Sequence, residues 1–111
     1  MAISNVAAVA QSGGAPGDPK YTNLVTLDLD DSYTTGGYAD FTASVQSIIG
    51  AGRAIVGVVQ QNIPAGTVKV LTGYDYANDK LLCYVASTGV EVANGVDLAD
   101  VTGLALMIHS L

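Results

Sequence analysis

Asp28, Asp30 and Ser32 stand at alternate positions, the spacing with which a calcium-binding loop opens. Such a loop needs glycine at its sixth position for the sharp turn and a bidentate Glu at its twelfth. Here those positions hold Tyr33 and Ala39, so the run reads as the solvated face and exit of a strand. His109 is the only histidine, three residues from the end, and no set of metal-ligating partners accompanies it. It is expected at a surface terminus. Cys83 falls in the middle of a strand-like run without basic neighbours that would favour its thiolate, so it reads as a small core hydrophobe. Gly50-Ala51-Gly52 precedes a strand-like segment rather than opening a helix, and is not a phosphate cradle. Glu91 and the scattered aspartates give no evident acid/base pair. These residues imply no enzyme, cofactor or metal.

Six tyrosines remain. Tyr74, Tyr76 and Tyr84 belong to a strand pair, where packing is the ordinary role of such rings. Tyr33 and Tyr38 flank the glycines of Thr34-Thr35-Gly36-Gly37, and are the better candidates for a partner surface. Ile3, Val6 and Val9, spaced along the N-terminal segment, are candidates for docking on a neighbouring subunit.

The elements that must position these residues are short and mostly extended. The centre is Val68–Val85, two strands rich in Val, Tyr and Leu around a turn at Asn78-Asp79, residues that tolerate positive φ. A two-residue loop there sets Tyr76 opposite Leu81, Tyr74 opposite Cys83 and Thr72 opposite Val85. Val68, Val70, Thr72, Tyr74, Tyr76, Leu81, Cys83 and Val85 then share one largely apolar face.

Upstream, Val25, Leu27 and Leu29 alternate with Thr26, Asp28 and Asp30, the pattern of a half-buried strand over 21–30. Phe41, Val45, Ile48 and Ile49 sit at helical spacing, with Asp40 placed to cap and Gly50 to stop a short helix. Ala54–Gln60 is a continuous apolar run, expected as a buried strand. A short strand is expected around 90–93, Asn94-Gly95 is a turn, and 101–108 closes the chain as a strand with Leu104, Leu106 and Ile108 on one side. Six or seven short, mainly antiparallel strands with one short helix predict an all-β sandwich or barrel. Residues 1–20, ending in the Pro- and Gly-rich segment 11–20, read as a flexible or extended N-terminal arm, with the β domain over 21–111.

A chain of 111 residues is one domain's worth, and buries about two thirds of its unfolded surface. Only 13% of its residues are charged, roughly half the usual share. That low charge suits a surface covered by other subunits. Four basic residues against ten acidic ones cannot neutralise a row of phosphates, so nucleic acid is not expected as a partner. A single cysteine forms no internal disulfide. No run approaches the roughly 20 apolar residues of a membrane helix, and no signal-peptide pattern opens the chain. The expectation is a soluble, cytoplasmically made protein with no membrane partner.

The segments Thr34-Thr35-Gly36-Gly37 with Asp40-Phe41-Thr42-Ala43, Gly73-Tyr74-Asp75-Tyr76-Ala77-Asn78-Asp79-Lys80-Leu81, and Glu91–Thr102 occur in that order within about Leu24–Ile108. This pattern resembles small structural proteins of tailed-phage virions: the capsid decoration, or cement, proteins and related minor virion components. The resemblance implies a non-enzymatic protein on the outer capsid surface, assembled in the host cytoplasm. Its partner would be the major capsid protein, and it would act as a homo-oligomer, a trimer being one form. A tail, neck or head-fibre component, and a small carbohydrate-binding module using Tyr33 and Tyr38, are the other readings.

Overall fold

A computed structural model describes residues 3–13, 21–50 and 52–111, with side chains at 9–13 and 21 outside the description. Its elements run β1 (Ser4–Gly13), β2 (Tyr21–Asp28), α1 (Phe41–Ile49), β3 (Ile55–Gln60), β4 (Val70–Asp75), β5 (Lys80–Val85) and β6 (Leu104–Ser110). Four strands form an antiparallel sheet in the order β1-β2-β6-β3, and β4-β5 is a separate hairpin. The all-β expectation holds. No helix among the described residues is long and apolar enough to cross a membrane.

One core joins the two layers. From the large sheet come Val25, Leu27, Leu104, Leu106 and Ile108, alternate residues on paired strands and all fully buried. The hairpin adds Val70, Leu81 and Cys83, and the helix adds Phe41, Val45 and Ile49, four residues apart on one face.

The hairpin departs from its expected loop. Tyr74 pairs with Leu81 and Thr72 with Cys83, leaving a four-residue connection, Tyr76-Ala77-Asn78-Asp79, with Asp79 in the left-handed region at φ 54°. A shift of two residues preserves side-chain parity, so Val70, Thr72 and Tyr74 still share a face with Leu81, Cys83 and Val85. Tyr76 leaves the strand and is 68% exposed. The Asp75 carboxylate accepts hydrogen bonds from the backbone and side-chain amides of Asn78, closing the longer loop.

Three further expectations change. Ser4–Gly13 is not an arm but a strand of the sheet, paired with β2 through to Gly13↔Tyr21, with two register shifts. The domain boundary expected at residue 21 therefore falls inside one sheet. The segment 14–20 of the expected linker lies outside the described residues. The valine-rich β3 is not buried on both faces. It is an edge strand, and Val56 and Val59 are 44% and 52% exposed. Around 90–93 no full strand forms: Glu91 bridges Tyr84, Val85 N–H donates to Val90 and Val92 N–H to Cys83.

Candidate functional site

The loop carrying Thr34-Thr35-Gly36-Gly37 is tied to the segment after β5 by one chain of hydrogen bonds. Cys83 N–H donates to the Tyr33 hydroxyl (3.1 Å), which donates to Glu91 Oε2 (2.7 Å). The same oxygen accepts Gly36 N–H at 2.8 Å. Thr35 N–H bonds Asn94 Oδ1, while Tyr33 and Gly95 are joined through their main chains. Tyr38 pairs with Leu81 in both directions through the main chain, and its hydroxyl donates to Asp30 at 3.1 Å. Gly37 lies so close to that pairing that a Cβ there would stand 2.6 Å from the Leu81 carbonyl oxygen, at a φ of 101°. Gly37 is thus explained by contact with β5, and Gly36 by its φ of 95°.

Tyr33 and Tyr38 are each only 1% exposed and meet edge to face, centroids 5.6 Å apart. Their assignment to a partner surface is corrected. The Gly-rich loop folds inward because both hydroxyls find acidic acceptors, which lets the rings be buried without orphaning a polar group. Burial pushes both phenols well above their ordinary range, and the neighbouring Glu91 and Asp30 carboxylates add to this. They are neutral hydrogen-bonding groups, not acids poised for transfer.

A second cluster joins hairpin and helix. Asp79 Oδ1 accepts the backbone N–H of Thr42 (3.1 Å), the Thr42 hydroxyl (2.8 Å) and the Tyr74 hydroxyl (2.6 Å), and Phe41 N–H donates to Asp79 O. Asp40, the expected cap, is left-handed at φ 54° and makes no side-chain cap bond. Burial, then the Asp79 hydrogen bond, push the Tyr74 phenol up to about 12.

The other acids near loops act alike. Asp28 accepts from Asn5 and from Gly103 N–H, Asp97 from Ala99 N–H, and Asp100 from the Thr67 hydroxyl and N–H. The Thr67 bonds hold the Asp100 carboxyl below the usual range. Asp28, Asp30 and Ser32 make turn contacts, with Ser32 N–H bonded to Asp30. Among the described residues, no group of three or more His, Cys, Asp or Glu could hold a metal ion.

Cys83 is fully buried, and burial drives its thiol up to about 12, agreeing with its reading as core. His109 is not at a free terminus. It lies half-buried in β6 between Thr22 and Gly57, with Nδ1 3.2 Å from the Thr22 hydroxyl. Ile3 and Val6 are partly exposed and pack against the core. The side chain of Val9 lies outside the described residues.

What the molecule presents outward is apolar and uncharged along one edge. On the outer face of the large sheet Leu24, Met107 and Val59 form a cross-strand row, with Thr22 and His109 beside it. Past the end of β3, Gln60, Gln61, Asn62, Ile63 and Leu71 line a shallow open groove of about 360 Å³. The Gln60 amide seals the edge of β4, donating to Val70 O (3.0 Å) and accepting Thr72 N–H (2.6 Å). Sequence reasoning missed the parts played by Gln60, Asp79 and Glu91. For Gln60 the available signal was a polar residue closing an apolar run. Comparison with protein-family models, with curated proteins and with solved structures finds no match to the chain.

Proposed function

We propose that this chain is a non-enzymatic structural protein of a tailed-phage virion, a capsid decoration (cement) protein. It binds the outside of the major capsid shell as a homo-oligomer and stabilises that shell. The observation that carries the reading is how the acids are used: Glu91, Asp79, Asp100 and Asp28 each bind a backbone N–H of a segment distant in the chain. The result is a β body whose connections are pinned and whose outer sheet face carries the uncharged row Leu24–Met107–Val59. A part that braces a shell gains from such rigidity, because little conformational entropy is lost on docking and many weak contacts add across repeated copies. The net charge of −6 favours mutual repulsion of finished particles. The resemblance of the Thr34–Ala43, Gly73–Leu81 and Glu91–Thr102 segments to such proteins gives the virion setting.

The test is incubation of purified protein with undecorated capsids, followed by sedimentation and heating. Co-sedimentation with a rise in the temperature at which shells rupture is the expected result. Protein left in the supernatant and unchanged shells reject the proposal. A tail, neck or head-fibre position is the second reading, favoured by the same rigid body, and immunogold label confined to the tail would select it. The carbohydrate-binding reading loses the two rings it stood on, since Tyr33 and Tyr38 lie in the core.

A further inference from the structure

The two edges of the large sheet are unlike. β1 is irregular, with register shifts between Ser4 and Ala7 and between Ala8 and Ala10, and with Asn5 at φ 51°. Bulges and kinks of this kind blunt an edge against further pairing. β3 has one shift, at its start between Ile55 and Gly57, but is regular from Gly57 to Gln60 and holds no proline and no charge, the other devices that protect an edge. Gln61 N–H donates to Ala105 O, so in the alternating antiparallel ladder Val59 and Gly57 bond β6, and the N–H and C=O of Val58 point away from it.

We propose that β3 pairs antiparallel with β3 of a second copy across a two-fold axis at Val58, joining two four-stranded sheets into one. The inference rests on the homo-oligomer of the proposed function and gives it a contact. With Val58 facing Val58, the register sets Gly57 opposite Val59 of the second copy on the outer face. The exposed Val59 side chain then lies beside a residue with no side chain of its own. Charge agrees with this choice of occupant. Copies of a chain at −6 repel in general, yet β3 and the row Leu24–Met107–Val59 carry no acid, so two copies can meet here without opposing carboxylates. The blunted β1 edge makes the contact close on itself rather than propagate β1-to-β3 into a fibre.

Sedimentation equilibrium of the full chain, with circular dichroism as the check on folding, tests the pairing. The wild type is expected as a dimer. Val58→Pro removes an N–H that β6 does not use, and Val59→Lys puts a charge on the exposed face. Each is expected to weaken association about tenfold or more while leaving the β spectrum intact. Should Val58→Pro fail to fold, Val59→Lys alone decides, because its side chain is on the exposed face. Tyr76→Lys, on the exposed hairpin loop, is expected to leave the dimer unchanged. A monomeric wild type, a trimer, or a dimer indifferent to Val59→Lys overturns the inference. Capsid co-sedimentation run in parallel separates the two claims. A monomer that binds shells overturns the pairing alone, and a dimer that ignores them overturns the virion reading alone.

Discussion

The carboxylate of Asp79 caps the helix through Thr42, 37 residues before it in the chain, holding it by both its backbone N–H and its hydroxyl. The four orphan N–H groups of a helix start are ordinarily served from the preceding residue. Here Asp40 is turned left-handed and the hairpin loop supplies the oxygen instead. Hairpin and helix are therefore one cooperative unit, since neither terminus is satisfied without the other.

Asp79→Ala is expected to cost at least the 1–2 kcal/mol, roughly, of a lost cap, because the Tyr74 hydroxyl loses its partner too. Asp40→Gly is expected to stabilise by about 0.5–1 kcal/mol, relieving a non-glycine residue at φ 54°. Urea denaturation of the two variants checks the contrast. Equal losses at both positions would mean that Asp40 is the working cap.

Tyr33→Phe removes the link between Cys83 N–H and Glu91, leaving a buried donor unpaired. The expected loss is about 1–3 kcal/mol, read from the urea midpoint. Glu91→Gln should cost less, since its amide oxygen can still accept from Tyr33 and Gly36. The comparison distinguishes a hydrogen-bonded staple from a requirement for charge.

Gly37→Ala meets two obstacles at once, a φ of 101° and a Cβ 2.6 Å from the backbone oxygen of Leu81. Neither yields to side-chain movement, so the β5–Tyr38 pairing must open. We expect a loss of roughly 1–3 kcal/mol and faster hydrogen exchange at Tyr38 and Leu81, whose N–H groups make that pairing.

Much of this was legible in the chain, for reasons that vary by element. Val25, Leu27 and Leu29 are buried as their alternation predicted, and Phe41, Val45 and Ile49 as their helical spacing predicted. Period is a local property, so local sequence reports it. The faces of the hairpin survived a wrong loop length only because the slip was even. Edge position is not local: nothing within Ile55–Gln60 says that only one neighbour, β6, will pair with it. The roles of Asp79 and Glu91 were illegible because their acceptors serve N–H groups 37 and 55 residues away. Tyr33 and Tyr38 misled for the same reason. A tyrosine beside glycines looks exposed until the acid that receives its hydroxyl is in place.

The alkaline limit of stability follows from the buried thiol and phenols. Burial raises the Cys83 thiol from its ordinary 9.0 to about 12 and the Tyr74 phenol from 10.0 to about 12, and it pushes Tyr33 and Tyr38 up as well. Above pH 9 the unfolded chain sheds these protons before the folded one does, so it binds fewer protons and stability falls as pH rises. The contribution is whole below about pH 9 and is lost progressively through about pH 12. Thermal melts at stepped alkaline pH should show a steady fall in Tm, with phenolate absorbance appearing together with unfolding. Below that window Cys83 should resist a thiol reagent until denaturant is added. Labelling of Cys83 in the native protein at neutral pH, or phenolate formation from all six tyrosines ahead of any loss of β structure, would show that the core around Tyr33 and Cys83 is open to water.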